Sequence, residues 1–159
     1  MTERSVTHAT FVIERTYDAS PERVFQAWAD PAEKRRWFGG PDEWEHSNHE
    51  IDFRVGGRER ESGGPKGGPT HYFEALYWDI VPNERIVSTY EMHLDDVRIS
   101  VSLATVELKP EGSGTHLIYT EHGAHLDGYD TPAGREEGTR DLLDKLGEVL
   151  TLKSRHDKG

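Results

Sequence analysis

Between residues 45 and 121 the sequence is a succession of short apolar runs separated by turn-forming residues, without an intervening helical periodicity. Pro82-Asn83, Asp95-Asp96 and the glycine-containing segment 110–114 mark the turns. Strands joined by turns this short must pair antiparallel, since a parallel pair needs a crossover connection of a dozen residues or more. About six strands therefore follow one another as a meander, which constrains the fold more than any other feature.

The segments on either side of this run contain the predicted helices. Residues 10–17 alternate as a half-buried strand does, and Ser20-Pro21 and Asp30-Pro31 then each place a capping side chain before a proline. Two short helices are expected there, and a longer one over residues 131–153, whose apolar face must cover one side of the sheet. The prediction is an α+β fold with a single domain over residues 7–153 and flexible ends at 1–6 and 154–159.

The apolar stripe of the long helix is complete only in its C-terminal half, where it consists of Leu142, Leu143, Leu146, Val149 and Leu150. Toward the N-terminus the same face carries Arg135, Gly138 and Thr139, which are polar or small where a sealed core would have leucine. We interpret the front half of this helix as the roof of a cavity above the sheet. The alternative is a front half that overhangs solvent, with Arg135 simply hydrated.

The phase of the alternation predicts which side chains face the core. One strand is expected to bury, on one face, Ile51, Phe53 and Val55. The apolar phase of the longest strand shifts near Ala104-Thr105, which indicates a β-bulge at that point. The tryptophans expected in the core are Trp28, Trp37 and Trp78, and the one expected at the rim of the cavity is Trp44.

The composition disfavours several classes of function. The 159 residues include no cysteine, which excludes disulfides, thiol nucleophiles and thiolate metal sites. A formal net charge of -11 disfavours binding to nucleic acid and to anionic membrane surfaces. No apolar run approaches the ~18 residues that span a bilayer, and no signal region is recognisable, so a cytoplasmic location is expected.

No metal ion or cofactor is predicted. His46 and His49, like His122 and His125, are three residues apart, but both pairs fall on predicted strands, where such residues point to opposite faces. The glycine-rich segment 63–69 lacks both the Gly-Lys-Ser/Thr signature and the following helix of a phosphate-binding loop. We expect a hairpin loop there, with a lid over the cavity as the alternative.

Several motifs spread over nearly the whole chain resemble one known family. They are Ser20-Pro21-Glu22-Arg23-Val24-Phe25-Gln26-Ala27-Trp28, Asp30-Pro31 with Trp37-Phe38, Asp52-Phe53-Arg54-Val55-Gly56-Gly57, Val81-Pro82-Asn83-Glu84-Arg85-Ile86 and Pro110-Glu111-Gly112-Ser113-Gly114-Thr115-His116-Leu117. Together they resemble the SRPBCC or START-like superfamily with the helix-grip fold, and within it the family named after the activator of the heat-shock-protein-90 ATPase.

This resemblance implies a curved antiparallel sheet of about six to seven strands that grips the C-terminal helix, with a cavity that holds hydrophobic ligands in relatives. It implies no single reaction, because many members have no assigned activity or are called polyketide cyclase-like by inheritance, and the namesake is a co-chaperone. The family commonly has Gly-Trp in the last helix where this chain has Gly138-Thr139. That departure implies a roomier or wetter cavity mouth.

The candidate ligand-binding residues are Trp37, Phe53, Tyr77, Tyr90, Met92, Tyr119, Glu121 and Arg135. The first hypothesis is that they bind a hydrophobic or aromatic small molecule. The second is an enzyme of the cyclase, dehydratase or hydrolase type with Glu121 as the candidate catalytic residue, because a carboxyl group in an apolar pocket can exchange protons near neutrality. A plain ion pair between Glu121 and Arg135 is the structural alternative.

A third hypothesis is a chaperone-partner module like the family's namesake, which would need an exposed apolar patch. The acidic, hydrophilic composition gives little sign of such a patch. A homodimer is also possible, because the edge strands of an open sheet must be covered in some way.

Overall fold

The structure, a computed structural model, describes residues 3–39 and 43–158, without the side chains of residues 46, 47 and 152–158. Its elements in chain order are β1 (Val6–Tyr17), α1 (Pro21–Ala29), α2 (Pro31–Lys34), β2 (Glu45–Ile51), β3 (Arg58–Gly64), β4 (His71–Val81), β5 (Arg85–Leu94), β6 (Val97–Glu111), β7 (Gly114–Leu126) and α3 (Pro132–Lys158). The predicted order of one strand, two short helices, six strands and a long helix is confirmed.

The seven strands form one antiparallel sheet in the order β1-β7-β6-β5-β4-β3-β2. Strands β2 to β7 are neighbours in sequence and in space, so they form the predicted meander. The turns at Asn83 and Asp95 have φ angles of 67° and 54°, a left-handed conformation that asparagine and aspartate tolerate better than most residues. β1 forms the edge of the sheet opposite β2. It pairs with β7 along its length, from Val6 opposite Leu126 to Tyr17 opposite Thr115.

The helices begin at the predicted caps. The Ser20 side chain accepts a hydrogen bond from the backbone of Arg23, and Asp30 accepts from the backbone of Ala32 and Glu33. α3 begins at Pro132 and continues to Lys158, past its predicted end near residue 153. Of the predicted flexible ends, residues 1, 2 and 159 lie outside the described part of the chain. Within that part, no helix is long and apolar enough to cross a membrane.

The core lies between the sheet, α1 and the C-terminal half of α3. Leu143, Leu146 and Leu150 are almost completely buried in it. Burying a leucine side chain contributes roughly 1.5–3 kcal/mol, so this half of the helix holds α3 to the sheet. The Tyr17 hydroxyl donates to the carbonyl of Leu143 over 2.7 Å and fixes the helix against β1.

Two predictions about strand phase are wrong. β2 ends at Ile51 rather than continuing to Val55, and Val55 is 56% exposed because the chain turns away after Asp52. The bulge in β6 lies at Ile99 and not near Ala104-Thr105, since Met92 pairs with Ser100 whereas His93 pairs with Arg98.

The displaced bulge changes which residues of β6 face inward. The buried residues after it are Ser100, Ser102, Ala104, Val106 and Leu108, while Val101 and Leu103 are exposed. Ala104 and Val106 border a cavity, and the Ser100 hydroxyl accepts a hydrogen bond from Arg135. The apolar pattern alone therefore indicated the wrong face for the first half of this strand.

Trp78 is a third correction, since it is 58% exposed and not in the core. It occupies an irregularity in β4, where the pairing with β5 shifts between Tyr77 and Asp79. Its indole nitrogen donates to the Thr89 hydroxyl over 2.8 Å on the outer face. Trp28 and Trp37, by contrast, are buried as predicted.

Candidate functional site

A cavity of about 650 Å³ lies between the inner face of the sheet, α2 and the front half of α3. Arg135, Gly138 and Thr139, the residues that interrupt the apolar stripe, are part of its lining. The prediction that the front half of this helix covers a space is therefore confirmed. Leu146 and Leu150, farther along the helix, are buried in the core instead.

Six of the eight candidate ligand-binding residues line this cavity: Trp37, Tyr77, Tyr90, Met92, Tyr119 and Arg135. Phe53 does not, because the chain turns away after β2, and its ring packs behind Tyr77 with 5.0 Å between the centroids. Glu121 is also absent from the lining. Trp44 lines the cavity, and its ring stacks on His71 with 4.6 Å between the centroids.

Glu121 lies behind two tyrosines of the cavity wall. Its carboxylate is 1% exposed and accepts hydrogen bonds from the hydroxyls of Tyr90, over 2.8 Å, and Tyr119, over 2.7 Å. Burial and the neighbouring carboxylate raise the pKa of both phenols, so the tyrosines remain protonated donors at neutral pH. Tyr90 and Tyr119 line the cavity and Glu121 does not, so the tyrosines, together with Arg135, present the hydrogen-bonded group around Glu121 to the cavity.

Arg135 connects Glu121 and its two tyrosine partners to the start of α3. Its Nη1 donates to the Tyr90 hydroxyl over 3.1 Å and is 3.7 Å from Glu121. Its Nη2 donates to the Ser100 hydroxyl and to the Asp130 carboxylate, each over 2.7 Å. We call Glu121, Tyr90, Tyr119, Arg135 and Asp130 the Glu121 cluster. The ion pair suggested as the structural alternative is present, with Asp130 as the closer carboxylate.

A second buried polar group, which the sequence did not reveal, lies where α2 meets β3 and β4. Glu59 accepts hydrogen bonds from Lys34 and from the Tyr77 hydroxyl, each over 2.6 Å, and contacts His49 Nε2 at 2.8 Å. The exposed fractions of the Lys34 and Glu59 side chains are 4% and 1%. Lys34, His49, Glu59 and Tyr77 are hereafter the Glu59 cluster.

The electrostatics of the Glu59 cluster keep its carboxylate ionised. Burial raises the pKa of Glu59, but the Lys34 ammonium and the hydrogen bonds from His49, Lys34 and Tyr77 more than offset this and lower the pKa to about 2. The Lys34 nitrogen also lies 4.4 Å from the centre of the Phe38 ring, within range of a cation–π interaction.

Lys34, Glu59 and Tyr77 all line the cavity. Sequence reasoning missed the first two because Lys34 ends a one-turn helix and Glu59 belongs to a strand that alternates charged residues without an apolar face. The available signal was the alternation in β3, which places Glu59 and Glu61 on one face and Arg58 and Arg60 on the other. It did not indicate which face is buried.

Among the described residues, no group of three or more histidines, aspartates or glutamates is arranged to hold a metal ion. His122 contacts the Thr10 hydroxyl at 2.9 Å, whereas His125 is buried and contacts Asp130 at 2.8 Å. In the other pair, His49 belongs to the Glu59 cluster, and the side chain of His46 lies outside the described residues.

Comparison with known proteins gives one family. The model described as "Activator of Hsp90 ATPase homolog 1-like protein" matches residues 18–151. A solved structure from Rhizobium leguminosarum is 45% identical, with a TM-score of 0.90 over 94% of this chain and 99% of its own. Mll3558 from Rhizobium loti is 50% identical, with a TM-score of 0.85 over 91% of this chain and 99% of its own.

A more distant solved structure shows the fold alone. The AHSA1-like protein from Aeromonas hydrophila is 21% identical, with a TM-score of 0.67 over 92% of this chain and 94% of its own. No curated protein matches the chain.

Proposed function

Since this chain belongs to the activator of Hsp90 ATPase homolog 1-like family, with its sheet gripping a C-terminal helix, we propose that it binds a hydrophobic or aromatic small molecule in the cavity beneath α3. The observation that supports this proposal is the cavity itself. Its volume of about 650 Å³ falls within the range of roughly 300–1,000 Å³ typical of pockets for small organic ligands.

The chemistry of the wall favours a ligand with an aromatic ring. Five lining rings contact one another in sequence, with 4.6 to 5.8 Å between centroids: Trp28, Trp37, Phe38, Phe73 and Tyr90. Their edges and faces offer the offset and perpendicular contacts that aromatic molecules prefer. A flat ring that enters the cavity can therefore continue the pattern already present in the wall.

The geometry favours binding over an acid–base role for Glu121. A general acid or base must come within hydrogen-bond reach of the reacting atom, directly or through one water. Glu121 does not line the cavity, and each of its oxygens accepts a phenol hydrogen. The enzyme hypothesis would therefore need another residue to contact the substrate.

The experiment that tests the proposal is a titration with N-phenyl-1-naphthylamine, an uncharged dye whose fluorescence rises in apolar surroundings. We expect saturable binding of one dye per chain. Thr139→Trp restores the bulk that relatives commonly carry on the cavity roof, and we expect it to weaken binding at least about 10-fold. Thr139→Val, which keeps the volume of threonine, is the matched control and should bind as the wild type does.

Absence of saturable binding, or equal binding by the Thr139→Trp variant, would refute the proposal. Native mass spectrometry of the freshly purified protein would then show whether any other molecule is carried along. A chaperone captured at stoichiometric yield by a protein that binds no dye would instead support the partner-module hypothesis.

We also propose a cytoplasmic location, on the basis of the absence of cysteine, and a homodimer that covers an edge strand. The edges of the sheet are β1 and β2. Size-exclusion chromatography with light scattering should give twice the mass of 18.1 kDa, and a monomer mass at all concentrations would refute the dimer.

A further inference from the structure

Lys34 and Arg135, two of the cations that line the cavity, already have carboxylate partners. Lys34 is 2.6 Å from Glu59, and Arg135 is 2.7 Å from Asp130 and 3.7 Å from Glu121. Lys34 and Arg135 thus supply two positive charges, and Glu59, Asp130 and Glu121 supply three negative ones, with the histidines counted as neutral. In the part of the chain that the structure describes, these groups therefore provide no surplus positive charge with which to compensate a bound anion.

The other charged residues of the lining do not change this balance. The lining also contains Glu61, Asp141 and Lys145, which together add one further negative charge. The whole chain carries a formal net charge of -11, so the long-range field repels anions as well. A carboxylate that enters this apolar space would lose its hydration without gaining an unpaired cation.

Lys34 nevertheless retains hydrogen-bonding capacity. A lysine ammonium has three N–H donors. Among the described residues Lys34 has two partners, Glu59 at 2.6 Å and the Tyr77 hydroxyl at 3.4 Å. One donor is left for an acceptor in the cavity that Lys34 lines. An uncharged oxygen takes this donor without adding charge to the cluster.

The Lys34 nitrogen lies close to two aromatic rings of the cavity lining. The Lys34 nitrogen lies 4.4 Å from the centre of Phe38 and 5.5 Å from the centre of Trp28. The Phe38 ring in turn contacts Phe73, with 5.0 Å between the centroids. A ligand ring packed against these aromatic side chains would bring a carbonyl or hydroxyl oxygen toward Lys34.

On the basis of the proposed function, we infer that the ligand is an uncharged aromatic ketone, aldehyde or phenol whose oxygen accepts a hydrogen bond from Lys34, and that the cavity discriminates against carboxylates. Arg135 also lines the cavity and is the other buried cation that an anion could approach. The pairing of Arg135 with Asp130 and Glu121 is the reason that Arg135 does not bind an anion.

The test compares two probes of nearly equal size, 2-acetonaphthone and 2-naphthoate, by displacement of N-phenyl-1-naphthylamine at pH 7. We expect the ketone to bind at least about 10-fold more tightly than the carboxylate. Equal or tighter binding of 2-naphthoate would overturn the inference and leave the proposed function standing. Failure of the dye itself to bind would refute the proposed function instead.

Glu59→Gln supplies a second, independent test, because it leaves Lys34 without its carboxylate and changes the side-chain shape little. We expect this variant to bind 2-naphthoate at least about 10-fold more tightly than the wild type does. Glu121→Gln is the matched control, since it removes a buried carboxylate that does not contact Lys34, and its gain should be smaller. Equal gains in both variants would contradict the role of Lys34.

A third test removes the donor while keeping the Glu59 cluster uncharged. The double variant Lys34→Met with Glu59→Gln should bind 2-acetonaphthone about 10-fold more weakly than the wild type and bind naphthalene, which has no oxygen, equally well. A thermal melt establishes that each variant is folded. A parallel loss of both probes by the folded variant would overturn the inference, because it would indicate a structural role only.

Discussion

Replacing Lys34 by methionine should destabilise the protein strongly at neutral pH and much less in acid. Methionine keeps the length and apolar stem of the side chain but removes the charge. It leaves Glu59, whose side chain is 1% exposed, as a buried carboxylate whose remaining partners among the described residues are Tyr77 and His49. Removing one partner of a buried ion pair typically costs about 3–5 kcal/mol, and the two remaining hydrogen bonds place this variant near ~3 kcal/mol.

The pH dependence follows from the pKa of Glu59, which falls from its ordinary value of 4.5 to about 2 in the folded protein. A folded pKa below the unfolded one stabilises the native state, here by ~3 kcal/mol, at any pH well above 4.5. This stabilisation is lost as the pH falls from 4.5 toward 2. In the Lys34→Met variant the Lys34 ammonium, the main cause of the lowered pKa of Glu59, is absent. Acid should therefore reduce the free energy of unfolding of the variant less than that of the wild type.

Urea unfolding followed by tryptophan fluorescence at pH 7 and pH 3 measures both effects. We expect a difference between wild type and variant of ~3 kcal/mol at pH 7 that falls to about 1 kcal/mol at pH 3. Lys145→Met, which removes a partly exposed lysine of the same cavity, should cost less than about 1 kcal/mol. A loss below about 1 kcal/mol at pH 7 for Lys34→Met, or a loss that does not change with pH, would refute the reasoning.

Three further predictions concern other parts of the molecule. Leu146→Ala should lower the free energy of unfolding by about 2–5 kcal/mol in urea, because the residue is fully buried, and a loss below about 1 kcal/mol would contradict its place in the core. Trp78→Ala should change that energy by less than about 1 kcal/mol, and a larger loss in a thermal melt would restore the prediction that it is a core residue. Tyr90→Phe should cost about 1–3 kcal/mol, since Arg135 and Glu121 both lose a buried partner, and an unchanged midpoint of urea unfolding would argue against this network.

Much of the fold could be predicted because its signals are local. Ser20 and Asp30 cap the short helices through backbone groups only two or three residues away. Asn83 and Asp95 make turns within a few residues. The broken apolar stripe of α3 predicted a cavity roof because residues three and four positions apart necessarily share a helix face.

The errors arose where inner and outer faces depend on distant partners. The position of the bulge at Ile99 is fixed by pairing with β5, and nothing in the apolar alternation of β6 marks it. Trp78 was expected in the core because of its residue type, yet an irregularity in β4 accompanies its exposure on the outer face. A one-residue change in strand phase exchanges the two faces, so such errors reverse the expected burial.

The candidate site likewise has a part that the sequence predicted and a part that it did not. The sequence by itself determined the order of elements, the antiparallel meander and the helix that covers a space, because periodicity, capping and turn chemistry act over a few residues. Only the tertiary structure decided that Lys34 meets Glu59, 25 positions away, and that Tyr90 meets Glu121, 31 positions away. Such pairings are fixed by strand register and by burial, which depend on the whole packed molecule and leave no local pattern in the chain.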